Sequence, residues 1–102
     1  MVFEPADQAV IDFVVRSAKA LLAAHKVILF GSRARGDALA RSDFDFAIEP
    51  AEPNTGEWSR FCLLVEDKAP TLRKIDLINL RESLDGAFRK RITDEGTVVY
   101  EA

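Results

Sequence analysis

Two carboxylates one residue apart in an apolar run constrain this chain more than any other feature. The run is "SDFDFAI", in which Asp43 and Asp45 alternate with Phe44, Phe46 and Ile48. Alternation is the period of a β-strand, so Asp43, Asp45 and Ala47 face one side and the aromatic and aliphatic residues face the other. At i and i+2 the aspartates share a face, with Cα atoms roughly 6.5–7 Å apart. Like charges so placed repel and push one pKa up, and a carboxylate on a sheet face is costly unless something compensates it. Three arrangements answer this: exposure at a strand end, pairing with arginine, or a divalent cation between the two.

The neighbouring segments limit how that strand can be joined. "KVILF", residues 26–30, reads as a strand buried on both faces and closed by Gly31. Residues 31–42 break the pattern, with at most one or two helical turns from Ser32 and a loop carrying Gly36 and Asp37. That link is short for a crossover between parallel strands, so the first two strands are expected to pair antiparallel. Residues 5–25 carry Val10, Val14, Ala18, Leu21 and Leu22 at helical spacing, and Pro5 suits a first turn. A second long helix is expected over residues 57–69, striped by Trp58, Phe61, Cys62 and Val65 and ended by Pro70. "KIDLINL", residues 74–80, alternates again. Ser83 is the expected N-cap of a last helix carrying Leu84, Ala87, Phe88 and Ile92, with Gly96 at its end, and "TVVYE" closes the chain as a strand. Helices interleaved with strands predict an α/β fold: one mixed sheet of about four strands with flanking helices, forming a single domain over residues 1–102.

A third carboxylate narrows the chemistry. Asp76 is the one ionisable residue in residues 75–80, and it shares a strand face with Ile78 and Leu80. If its strand lies beside that of Asp45, one patch of sheet carries three carboxylates and no amine. Oxygen-only sites of this kind suit Mg²⁺ or Mn²⁺, and two such ions about 4 Å apart form the clamp used for phosphoryl transfer. The Gly31-Ser32 turn fits the same purpose. Glycine lets backbone approach a phosphate, N–H groups of a following helix turn bind anionic oxygens, and the Ser32 hydroxyl adds a donor. Arg33 and Arg35 are candidates to neutralise a triphosphate or a leaving pyrophosphate.

Other features set limits. A net charge of −3 argues against a general nucleic-acid binder. No apolar run approaches the ~20 residues of a membrane span, and "MVFEPADQAV" lacks the pattern of a secretory signal. Cys62 is the single cysteine, so no intrachain disulfide forms. Together these lead to the expectation of a cytoplasmic protein. Arg89, Lys90 and Arg91 read as a solvated face late in a helix, His25 as a helix-end cap, Cys62 and Trp58 as core, and Tyr100 as a paired strand residue.

The combination resembles the polymerase-β-like nucleotidyltransferase superfamily, whose motif is Gly-Ser, ten residues, Asp-x-Asp, then an Asp on a later strand. Here Gly31-Ser32 is followed by the ten residues 33–42, then Asp43-Phe44-Asp45, with Asp76 in the third place. "FGSRARG" and "SDFDFAI" are most similar to the minimal nucleotidyltransferase group, whose members are about this length. Phe46 stands where an aliphatic residue is commoner. The resemblance implies metal-dependent transfer of AMP from ATP to a hydroxyl. Similar small members are antitoxins that adenylylate a tyrosine of a helical HEPN-domain ribonuclease toxin. By matched position, Asp43 and Asp45 would hold both Mg²⁺ ions, Asp76 would hold the catalytic one and help activate the hydroxyl, and Gly31 and Ser32 would bind the phosphates. Arg33 and Arg35 carry over as further nucleotide-binding residues. Two other readings share the motif: an antitoxin that blocks its toxin by contact alone, and a nucleotidyltransferase with a small-molecule acceptor.

Overall fold

In the computed structural model, residues 3–36, 42–52, 55–82 and 84–102 are described. The elements run α1 (Pro5–Leu22), β1 (Lys26–Phe30), α2 (Ser32–Arg35), β2 (Phe44–Glu49), α3 (Thr55–Lys68), β3 (Ile75–Asn79), α4 (Gly86–Glu95) and β4 (Thr97–Glu101). One sheet has the order β3-β2-β1-β4. β1 pairs antiparallel with both β2 and β4, whereas β2 and β3 are parallel. The mixed sheet expected from the short β1–β2 link is therefore present.

The two sheet faces are covered unequally. α1 and α3 pack on one face, where Val10, Ile11, Val14 and Ala18 of α1 and Phe61 and Val65 of α3 meet Val27, Leu29, Phe44, Phe46 and Ile48. On the other face a smaller cluster joins Ile28, Ala47 and Ile92 of α4, with Phe30, Ile78, Leu80, Leu84 and Phe88 around it. Strand alternation explains the division: Phe44, Phe46 and Ile48 fill the two-helix side, and Ala47 fills the side it shares with Asp45. Trp58 packs partly buried with its ring centroid 5.5 Å from that of Phe61. Cys62 is half-buried at the same core, and Tyr100 lies in β4 under the Lys19 ammonium, 5.0 Å from the ring centroid.

Several local details differ from the sequence expectation. α1 ends at Leu22 because Ala23 turns left-handed (φ 46°, ψ 44°), after which the Ala24 N–H reaches the Ala18 carbonyl at 3.3 Å. His25 therefore does not cap the helix. Its N–H donates to the Glu49 carbonyl (2.8 Å), and its own carbonyl accepts from Ala102, so it joins the ends of β2 and β4. β2 starts at Phe44, one residue after Asp43, where the Phe44 N–H finds the Lys74 carbonyl (3.0 Å). Ser83, the expected cap of α4, lies outside the described residues; the N-cap is Asp85, whose carboxylate accepts from the Phe88 N–H.

Gly96 ends α4 by close packing. Its backbone is extended (φ −80°), and its N–H donates to the Ile92 carbonyl at 2.9 Å. A Cβ there would overlap the Ile92 carbonyl oxygen and the Ile28 Cγ2. Because one of these atoms belongs to backbone, side-chain movement alone cannot make room. Gly96→Ala should therefore destabilise the protein by about 1–3 kcal/mol through overpacking. Chemical denaturation that gave an unchanged midpoint and slope would show that α4 shifts at no cost.

Candidate active site

The register of three strands builds the site. Phe30, the last residue of β1, lies opposite Asp45, and Asp45 lies opposite Asp76 on β3. The turn after Phe30 therefore stands beside the first residues of β2. Gly31 takes φ 76°, ψ −159°, a backbone region open to glycine. Its Cα packs directly on Asp45: a Cβ at Gly31 would overlap the Asp45 carboxylate. Ser32 then begins the single turn of α2, and the Ala34 and Arg35 N–H groups both return to the Gly31 carbonyl at 3.1 Å. Gly31 is thus held against the acidic strand, and Ser32 follows it as the first residue of α2.

Electrostatics within the acidic patch run against ionisation. The Asp45 carboxyl is raised above its ordinary value of 3.8, first by burial, then by the charge of Asp76 and a hydrogen bond with it, and then by the charge of Asp43. Arg35 opposes these effects. Burial and the neighbouring carboxylates thus both favour the neutral form of Asp45. Asp43 precedes the strand and is exposed.

One expectation needs correction. The acidic patch does contain an amine: Lys74 Nζ lies 3.2 Å from Asp76 Oδ1. Lys74 is two residues before Asp76, so strand alternation puts both on one face; that spacing was the available signal. Further, among the described residues no three carboxylate, histidine or cysteine side chains converge as a ready-made cation site. The donors are nonetheless of the right chemistry. Asp45 and Asp76 are adjacent and oxygen-only, and Asp43 is near enough to perturb Asp45, a set that suits a hard divalent cation.

The two arginines separate. Arg35 remains beside the acids, with Nη1 3.6 Å from Glu95 Oε2 at the end of α4. Arg33 turns the other way, where Asp7 of α1 and the Ser42 carbonyl hold it. The structure thus gives Arg33 partners other than those expected of a phosphate ligand. Glu95 and Asp7 were missed in the sequence, and nothing in their local pattern marks them. A cleft of about 420 Å³ runs along the outer edge of β3, with Cys62, Val65, Leu77, Arg73, Lys74 and Asp76 on its walls. Leu72, 97% exposed, belongs to the loop that leads into β3. Among the described residues no helix is long and apolar enough to cross a membrane.

Comparison with known proteins agrees with this fold. The family model described as Polymerase beta, Nucleotidyltransferase matches residues 11–102. No curated protein matches the sequence significantly. Solved structures share the fold at low identity. A chain in the complex of tri-AMPylated Shewanella oneidensis HEPN toxin with MNT antitoxin is 15% identical, with a TM-score of 0.69 over 93% of this chain and 72% of that one. A toxin-antitoxin structure with AMP-PNP gives 19% identity and a TM-score of 0.68 over 97% of this chain and 75% of that one. The toxin-antitoxin MntA-HepT gives 15% and 0.69, over 93% and 73%.

The raised Asp45 pKa makes the cation-free protein sensitive to pH. The folded state keeps the Asp45 proton to a higher pH than the unfolded chain does, so between the two pKa values it binds more protons. Stability from this group is full below the unfolded value and is lost as pH rises through the folded value. Asp45→Asn removes the loss and keeps a donor toward Asp76. In EDTA at about pH 7 its melting temperature should equal or exceed that of the wild type, and the decline as pH rises above the ordinary carboxylate value should flatten. A variant less stable than wild type at neutral pH would contradict the repulsion described.

Proposed function

The chain belongs to the polymerase-beta nucleotidyltransferase family, and from that premise we propose that it is an antitoxin which transfers AMP from ATP to a tyrosine hydroxyl of a HEPN-type toxin. The observation that carries the reading is the row formed by the Gly31 turn, Asp45 and Asp76, with Asp43 beside it. The fold neighbours support the acceptor class, because they come from toxin-antitoxin complexes, one with an AMPylated toxin and one with AMP-PNP.

In this reading Gly31 and Ser32 bind the triphosphate. Gly31 contributes close backbone approach, and Ser32 contributes a hydroxyl donor. Asp43, Asp45 and Asp76 would hold two divalent cations, Mg²⁺ or Mn²⁺, which when bound would supply neutralisation of the phosphates and activation of the attacking hydroxyl. Cation binding requires the carboxylates in their ionised form, so it would work against the raised pKa of Asp45. The tyrosine oxygen then bonds to the α-phosphorus, and the bond from that phosphorus to the bridging oxygen breaks. Pyrophosphate departs, with Arg35 placed to neutralise it, and the tyrosine proton passes toward the Asp76 carboxylate or to water. Asp76 stands on the edge strand of the sheet, so an acceptor carried by a partner reaches it without crossing the sheet. The partner positions its own hydroxyl, an effect worth roughly 7–11 kcal/mol over a free acceptor.

Intact-mass spectrometry tests the proposal. A helical toxin encoded beside this chain should gain one or more AMP units with ATP and Mg²⁺, whereas free tyrosine should be a very poor acceptor. Asp43→Asn should abolish the gain with the fold intact by circular dichroism. An unmodified toxin that still binds and loses activity would replace the enzymatic reading with inhibition by contact. Ser32→Ala should lose only about 1–2 kcal/mol of transition-state stabilisation, the value of one hydrogen bond to a charged group. Loss of folding in that variant would instead make Ser32 a structural cap.

A further inference from the structure

Arg33 follows the Gly31-Ser32 turn directly, yet its side chain is almost buried, at 7% exposure. Nε and Nη2 both donate to the Ser42 carbonyl, at 3.2 and 2.7 Å. Nη1 donates to Asp7 Oδ1 of α1 at 3.0 Å. The guanidinium carbon sits 4.0 Å from the centroid of the Phe44 ring, itself buried. Fork donation, an ion pair and stacking on an aromatic face are three things that guanidinium does together and ammonium does not.

These contacts surround Asp43. Ser42 is the residue before it and Phe44 the residue after it. The Ser42 carbonyl is clamped by Arg33, and the Phe44 ring is covered by the same guanidinium. The Phe44 N–H is bonded to the Lys74 carbonyl at 3.0 Å. Asp43 itself is exposed and outside the strand, so its own packing does not fix it. Arg33 also sits in α2, one residue from the turn proposed to bind phosphate. A single side chain thus connects that turn to the backbone on both sides of Asp43, and anchors both to α1 through Asp7.

We propose that Arg33 is a positioning residue, one that holds Asp43 in register with the Gly31-Ser32 turn, and that it does not contact the nucleotide. The proposal rests on the reading of this face as a nucleotidyl-transfer site, so its first readout is independent of transfer. In Arg33→Lys and in Asp7→Asn, amide hydrogen exchange at Phe44 should accelerate, while Leu29 in the centre of the sheet keeps its protection. Asp7→Asn removes only the ion pair and covers the case in which an Arg33 variant fails to fold. In the transfer assay with partner toxin, kcat should fall on the order of 10- to 100-fold for Arg33→Lys, as for other residues that orient ligating carboxylates. The KM for ATP should stay within about twofold, because no binding contact made equally in ground and transition states is lost.

A direct phosphate contact gives the opposite pattern: KM for ATP rises, Lys largely rescues Ala because the charge is kept, and Asp7→Asn is silent. That pattern, or unchanged Phe44 exchange in both variants, would overturn the proposal. Failure of the wild type to transfer AMP would instead remove the enzymatic reading. Accelerated Phe44 exchange would still support Arg33 as the anchor of this segment.

Discussion

The antiparallel pairing of β1 with β2 decides where everything on the acidic face lies. An antiparallel neighbour brings the end of one strand to the beginning of the next, so the turn at Gly31 has to meet the first residues of β2. β3 then runs parallel to β2 and places its own beginning beside them, which sets Asp76 opposite Asp45. Three sequence-distant segments reach one end of the sheet through two pairing rules. The contact that closes the arrangement is the Asp45 carboxylate on the Gly31 Cα, where no side chain fits. A larger residue at Gly31 would meet both the carboxylate and an unfavourable positive φ.

The same strand supplies the force that holds repelling carboxylates together. Phe44, Phe46 and Ile48 are buried on the opposite face of β2 against α1 and α3. Burial of side chains of this size is worth about 1.5–3 kcal/mol each. Relaxing the acid pair by a one-residue slip would put the aspartates into that core and the aromatics into solvent. Hydrophobic register therefore fixes electrostatic proximity. The raised Asp45 pKa reflects burial first and then the remaining repulsion from Asp76 and Asp43, while the strand stays in place.

How much of this was legible follows from range in sequence. β1 and β4 have the limits read from "KVILF" and "TVVYE", because Gly31 and Gly96 bound them and alternation is local. The mixed sheet followed from the length of one link. The Arg33 partner Asp7 is 26 residues away and belongs to another element, and no local pattern encodes such a contact. The opposite fates of Arg33 and Arg35 have a simple geometry. They are two residues apart on one helical turn, hence rotated by about 200° from each other. One arginine must point toward α1 if the other points toward the acids. Composition alone made them look equivalent. His25 was misread for a related reason: the left-handed Ala23 ended α1 early, and β-sheet edges claimed the histidine backbone.

Charge balance on the acidic face bears on what can bind there. Arg35 is already near Glu95, and Lys74 is already near Asp76. Among the described residues the three aspartates and Glu95 therefore outweigh Arg35 and Lys74 on this face. A nucleotide triphosphate arriving alone would add negative charge to a patch in which the Asp45 carboxyl already resists ionisation, and would oppose that ionisation further. An anion is accepted only if positive charge comes with it. A carboxylate-only donor set facing a glycine turn is thus suited to a nucleotide that arrives as its divalent-cation complex and poorly suited to the bare anion. On the proposed reading Arg35 has a narrower part than general phosphate attraction: it neutralises the pyrophosphate after the α-phosphorus has been transferred.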